Sequence, residues 1–296
     1  MIKEIESSKN RLFQKNVRNI MRAYEIELNF RANLSGQKWL SLQARIKYKN
    51  MKILVCISKA PDTTSRIAFT DNNTKFDENG VQYIVNPYDE WYALVKGIEL
   101  KEALGGNVTT ITVGGADNEP IIRKALAIGA DDAVRVDLET GDSFVVASQI
   151  AAYAKDQGFD LILCGKETIN YNSSLVGGMV AEMLNMPYLS LATSLTMEGS
   201  TAIVEREVQG GMEVLEVTGP FVLSAAKGLA EQRIPNMRGI MAARTKPLNV
   251  IAAVSVDQTA EIVSYTLPAP KGACKYVDAD HPEELIRLLH EDAKVI

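Results

Sequence analysis

The segment Gly165–Gly177, GKETINYNSSLVG, gathers residue types that can hold an anion. Gly165 permits close approach of backbone, Lys166 supplies positive charge, and Asn172, Ser173 and Ser174 offer hydrogen bonds. A helix starting at Val176 adds the positive end of its dipole and its unbonded N–H groups. Together these suit the phosphate of a nucleotide. Three further segments set a polar or glycine-containing turn beside an apolar run: the residues after Cys56, the turn Asn86–Asp89, and Gly114–Asp117. There is no GxxxxGK[ST] Walker loop, no GxGxxG after the first apolar run, and no nucleophile elbow. His281 and His290, the two histidines, sit near the C-terminus, and Cys56, Cys164 and Cys274 are widely spaced. Metal binding, imidazole acid–base catalysis and a disulfide framework are all poorly served by this inventory. The bland alternatives are that the polar loop is structural and that Cys56 is a buried small apolar residue.

Bringing four such segments together takes a particular order of elements, and the chain has it from Met51 onward. Ile53–Ile57 is a continuous apolar run, as expected of a strand buried on both faces. Asp62–Gly80 is polar and reads as a long loop or a hairpin. Asn86 as cap, Pro87 at the first helical position, and Asp89 and Glu90 at the positive dipole end open a helix. Its apolar face is Trp91, Leu94, Val95 and Ile98, and Gly105-Gly106 stops it. A strand at Val108–Val113, a helix at Glu119–Ile128, a strand at Ala133–Val136 and a helix at Ser143–Gln157 follow. The strand Leu161–Cys164 and the helix Val176–Leu184 complete the series. Such alternation predicts an α/β fold with a doubly wound, mostly parallel sheet, its ligand beyond the carboxyl ends of the strands. After Pro187 the strands Thr201–Glu207, Glu213–Val217 and Phe221–Ala225 have little helix between them, and Gly210-Gly211 makes a hairpin of the first two. A tail from about Leu267 ends in an amphipathic helix, Pro282–His290.

At 296 residues and 46% apolar the chain can bury a sizeable core. No run approaches the roughly 18 apolar residues of a membrane helix. A secretory signal is not recognisable, and the cysteine usage suits a reducing cytoplasm. Residues 1–50 hold 11 Lys and Arg against 4 Asp and Glu, and the remainder 21 against 33. A basic stretch can be a nucleic-acid, membrane or import arm. The expectation is instead that residues 1–50 are an upstream extension of the reading frame, with translation normally starting at Met51. The divisions expected are 1–50, a nucleotide-binding domain over 51–266, and an arm over 267–296.

From Met51 to Ile296 the chain resembles the electron transfer flavoprotein β subunits. The resemblance rests on six stretches in the family order: ILVCISKAPD (53–62), VNPYDEWYAL (85–94), RKALAIGADDAVRV (123–136), LCGKETINYN (163–172), VEREVQGGMEVLEVTGPFVLSA (204–225) and RIPNMRGIMAARTK (233–246). The fifth departs at Gln209, where the family usually places an acid. The resemblance implies an adenine-nucleotide-binding, flavodoxin-like layering with a β-hairpin extension and a C-terminal arm packing on a partner subunit. It implies AMP in this chain and FAD mainly in an α subunit, near the interface. By position the AMP contacts are Cys56, Asn86, Pro87, Tyr88, Asp89, Val113, Gly114 and the loop Gly165, Lys166, Glu167, Thr168, Asn172, Ser173, Ser174 and Val176. A recognition loop is implied at Ile234, Pro235, Met237 and Arg238, with Met237 where the family most often has Leu; the alternative is that Met237 packs in its own core. The implied function is a cytoplasmic electron carrier without turnover of its own. It would take electrons from acyl-CoA and other flavin dehydrogenases to a quinone oxidoreductase, without nucleic acid or membrane insertion. The rival within the family is an electron-bifurcating β subunit with a second FAD in place of AMP. An enzyme of the adenine-nucleotide-binding superfamily would need a motif such as SGGxDS, which is absent. A plain interaction module leaves the nucleotide-site loops unexplained.

Overall fold

The structure is a computed structural model and describes residues 50–87, 89–169 and 172–296. The expectations for the basic N-terminal stretch and for Tyr88 fall outside these residues. Two compact units are formed, one from residues 50–65 with 80–261 and the other from 66–79 with 262–296.

The larger unit begins with β1 (Met51–Cys56), whose ILVC run is wholly buried. Strand β2 (Lys59–Pro61) follows; β3 (Phe69–Thr70) and β4 (Lys75–Phe76) belong to the other unit, and β5 (Tyr83–Val85) returns to pair with β2. Then come α1 (Asp89–Leu104), β6 (Gly106–Val113), α2 (Glu119–Ile128), β7 (Asp132–Asp137), α3 (Ser143–Ala154), β8 (Leu161–Gly165) and α4 (Val176–Leu184). Strands β9 (Tyr188–Glu198), β10 (Thr201–Val208), β11 (Gly211–Thr218) and β12 (Phe221–Ala225) precede α5 (Met237–Ala243) and β13 (Leu248–Ala252).

One nine-stranded sheet results, in the order β11-β10-β9-β12-β8-β1-β6-β7-β13. From β9 to β13 every neighbouring pair is parallel; β10 and β11 add an antiparallel extension. Apolar residues of α1 and α2 pack on one face with Ile53, Val55, Leu161 and Leu163. Those of α3 and α4 pack on the other with Leu54, Cys56, Ile162 and Cys164. The sheet is thus doubly wound, as the alternation of elements predicts. From β1 the chain winds outward through β6 and β7, then crosses back to place β8 on the other side of β1. That reversal opens a crevice at the carboxyl ends of β1 and β8. Gly106 is required where β6 begins, because a Cβ there would stand 2.0 Å from the Met51 carbonyl oxygen.

Several elements differ from the sequence reading. Helix α1 starts at Asp89, with Pro87 in a turn before it. Asn86 is buried rather than capping at the surface, and its Nδ2 donates to the Glu167 carbonyl at 3.1 Å. Helix α3 ends at Ala154 because Asp156 and Gly158 take positive φ. The β10–β11 turn is Gln209-Gly210, and Gly211 already pairs with Val208. Strands β9 and β13 and helix α5 were not anticipated.

In the smaller unit β3 and β4 form a short hairpin, and Phe69 stacks on Tyr265 with ring centroids 4.8 Å apart. Helix α6 (Pro282–Arg287) runs into a wider turn at Leu288–Asp292, and Arg287 pairs with Glu284 and Glu291. Among the described residues no helix is long and apolar enough to cross a membrane.

Candidate functional site

Strands β1, β6 and β8 end side by side, and a cavity of about 160 Å³ opens beyond them. It is lined by Cys56, Ile111, Cys164 and Gly165, by Lys166, Glu167, Thr168, Ser173 and Ser174, by Val113 and Gly114, and by Thr140, Gly141 and Ser143 where α3 begins.

Gly165 is needed for packing as much as for the ligand. A Cβ on it would come within 2.8 Å of Glu90 Cγ and 3.1 Å of the Glu90 nitrogen. Lys166 N donates to the Ala225 carbonyl of β12 at 3.0 Å, and Thr168 and Ser173 form an isolated bridge. Asn172 takes a left-handed φ of 50° at the turn between them. Ser173 Oγ lies 2.8 Å from Ser143 Oγ, tying the loop to the start of α3. Helix α4 then opens with Leu175 at its N-cap and no side-chain cap. Its first N–H groups, at Val176 and Gly177 on the cavity wall, are therefore presented to a ligand without a competing side chain. Helix α3 is capped by Asp142, whose Oδ1 accepts from Phe144 N at 2.8 Å.

Two carboxylates stand where α1 meets the cavity. Burial raises Glu90 to about 7, although Ser58 donates to it from N at 2.5 Å and from Oγ at 2.7 Å. Burial likewise raises Asp89 to about 6, with Lys166 pulling the other way. Glu90 thus fixes the strand-to-loop turn after β1. On the opposite rim Gly115 N donates to Glu139 Oε1 at 2.7 Å, and Lys59 pairs with Asp117. Among the described residues Asn86 Oδ1 is buried without a hydrogen-bond partner, an acceptor available to an N–H or O–H donor.

Of the residues singled out from sequence, Cys56, Val113, Gly114, Gly165, Lys166, Glu167, Thr168, Ser173, Ser174 and Val176 line this one cavity. Asn86, Pro87 and Asp89 do not line it; Asn86 bonds to the Glu167 carbonyl and Asp89 packs beside Gly165. Asn172 is exposed at its turn and is not in the lining set. Ser58, Glu90, Asn118 and the Thr140–Ser143 loop were missed. Only the burial of Glu90 beneath the β1 loop separates it from an ordinary dipole-facing acid, and no local signal in the sequence carries that. The set fits an adenine mononucleotide: an uncapped helix start and Lys166 for the phosphate, glycines for close approach, and a mixed apolar and hydroxyl lining for the rest.

A second cluster lies elsewhere on the same unit. Ile234 is 83% exposed and Met237 74%, so Met237 is not a core residue. Both ends of this loop are fixed. Arg233 makes a fork to Glu102 at 2.8 and 3.0 Å, and Trp91 Nε1 donates to the Arg233 carbonyl. Asn236 Oδ1 caps α5 by accepting from Gly239 N at 2.8 Å. Pro235 and Arg238 flank Met237 on this loop.

Residues 73–256 match the electron transfer flavoprotein domain. The chain is 36% identical over 260 residues to an electron transfer flavoprotein subunit beta of Bacillus subtilis (strain 168), covering 83% of this chain and 100% of that one. It is 36% identical over 236 residues to the subunit beta of Syntrophomonas wolfei, covering 79% and 92%. With that of Sus scrofa it shares 30% over 253 residues, covering 83% and 99%. A cleft at the switch point of a parallel sheet, a matching domain and relatives covered almost end to end converge: the chain belongs to the electron transfer flavoprotein family, among its β subunits.

Proposed function

We propose that this β subunit joins an FAD-bearing α subunit and carries electrons from acyl-CoA and other flavin dehydrogenases to a quinone oxidoreductase. In this reading the chain itself binds AMP, as a structural ligand, and turns over no substrate. The flavin supplies the redox chemistry, and the protein supplies position and electrostatics. The observation carrying the AMP reading is the uncapped start of α4 beside Lys166, at the topological switch of the sheet. The N–H groups of Val176 and Gly177 with Lys166 hold the phosphate; Glu90 keeps the β1 loop in place through Ser58; Gly114 and Val113 border the sugar and base. The family resemblance also assigns Tyr88 and Asn172 to AMP contact. The loop Ile234–Arg238 offers its exposed Met237 to the dehydrogenase, a flexible apolar anchor with basic residues around it. Residues 267–296 pack on the α subunit as an arm, and the complex resides in the cytoplasm.

The test is co-expression with an α subunit, followed by extraction and quantification of bound FAD and AMP. One FAD and one AMP per heterodimer is the expected result. Two FAD and no AMP would instead assign the bifurcating role, and a complex lacking flavin would overturn the carrier reading.

A further inference from the structure

Cys56 ends β1, Cys164 is the penultimate residue of β8, and the two strands are parallel neighbours. The register pairs Val55 with Leu163, so one step on it sets Cys56 beside Cys164. Alternation turns both side chains to the same face, where both belong to the apolar cluster under α3 and α4. Adjacent strands lie about 4.8 Å apart, inside the roughly 4.4–6.8 Å between Cα atoms that a disulfide spans. Both are free thiols, and both are buried. Cys56 is 7% exposed and Cys164 3%, yet both line the cavity. A small reagent inside the cleft meets a thiol pair that bulk solvent barely touches.

We propose that Cys56 and Cys164 form a redox-sensitive dithiol in the cleft lining, which a small-molecule disulfide such as oxidised glutathione converts to a protein disulfide only while the nucleotide is absent. One cysteine, as thiolate, attacks a sulfur of the reagent, forming a mixed disulfide and releasing one glutathione. The other cysteine then attacks the protein sulfur of that mixed disulfide and releases the second glutathione. Two cysteine thiols and one external disulfide thus become one protein disulfide and two free thiols. The Cys164 hydrogen bond, burial and the nearby Cys164 and Glu90 hold the Cys56 thiol well above its ordinary value, so the reaction is slow at neutral pH and quickens as pH rises. Protection by nucleotide rests on the AMP reading of the cleft, whereas formation of the disulfide does not.

The full chain with its α subunit is oxidised with glutathione disulfide at mildly alkaline pH, as isolated and after removal of nucleotide. Remaining thiols are blocked and tryptic peptides mapped. The expected product after nucleotide removal is a cross-link between the Cys56 and Cys164 peptides, suppressed about tenfold when excess AMP is restored. Phenylarsine oxide should also be retained by the nucleotide-free protein, resist monothiols and be released by a dithiol; Cys164→Ser should abolish both effects. No cross-link and no retained arsenical in the nucleotide-free protein would overturn the dithiol. A cross-link formed equally with AMP demonstrably bound would overturn its dependence on occupancy. A cross-link in protein that never binds AMP supports the dithiol and sinks the AMP reading instead.

Discussion

The cleft and the Ile234–Arg238 loop present opposite solutions on one unit. The cleft buries polar groups: Glu90 and Asp89 stand under the loop after β1 with raised protonation midpoints, and glycine is required where backbone meets side chain. The loop exposes apolar groups, with Ile234 and Met237 outward and its ends fixed by Arg233–Glu102 and the Asn236 cap. A buried polar site of fixed shape suits a ligand that stays; an exposed apolar tip on a pinned base suits a partner that comes and goes. Mutations in the first should cost stability, and mutations at the exposed tip of the second should cost recognition alone.

Gly165→Val tests this most severely. Its added carbons meet Glu90 Cγ and backbone, so AMP should no longer co-purify and stability should fall by about 1–3 kcal/mol in urea titrations. Glu90→Gln comes next. Because burial raises Glu90 from 4.5 to about 7, the folded state holds that proton more tightly than the unfolded chain does. Its contribution is therefore full below the ordinary carboxylate range and lost as pH rises through about 7; Asp89, raised by burial to about 6, acts in the same direction. The free energy of unfolding should decline between about pH 5 and 8 by on the order of 1–2 kcal/mol, and Glu90→Gln should flatten that slope. An unchanged slope would remove Glu90 as its source. Asn236→Ala takes away the α5 cap, for about 0.5–1 kcal/mol by thermal unfolding, and should loosen the loop and raise its cleavage by proteases. Met237→Ala should move stability by less than about 0.5 kcal/mol, yet slow electron uptake from a dehydrogenase about tenfold. Should it instead unfold the protein while leaving uptake intact, the contrast between the two regions fails.

Much of the fold could be read before the structure because β1 and β8 are unbroken apolar runs and α1 and α2 keep a helical period. Helix α2 was located to the residue, since Pro120 opens it and Gly129 closes it at φ 153°. Strand β9 escaped notice because Ser190, Thr193 and Ser194 break its apolar pattern and Leu191 sits at positive φ in a register shift with β12. Strand β13 is a half-exposed edge whose partner, β7, lies more than a hundred residues earlier in the chain. The loops after β6 and β8 were legible because each carries glycine where an apolar strand ends, whereas Thr140–Ser143 lies beyond the end of β7 and was not. The roles of Ser58 and Glu90 were not, since they depend on a hydrogen bond that only the folded packing of α1 creates. Gln149 makes the same point: its side chain pairs with Val254 as a strand's backbone would, at 2.9 and 2.8 Å, across about a hundred residues.

Strand β11 closes the sheet at one end and pairs on one side only. Met212 and Val214 point outward from it, while Glu213 is engaged across the ladder with Arg206. A free strand edge with apolar side chains is a template for unwanted pairing with other copies, and Glu216, which alternates onto the outward side with Met212 and Val214, is the charge set against it. Supply of this subunit in excess of its partner is therefore a question of protein quality control: the surplus copies carry an exposed, adhesive margin, with Glu216 as its guard.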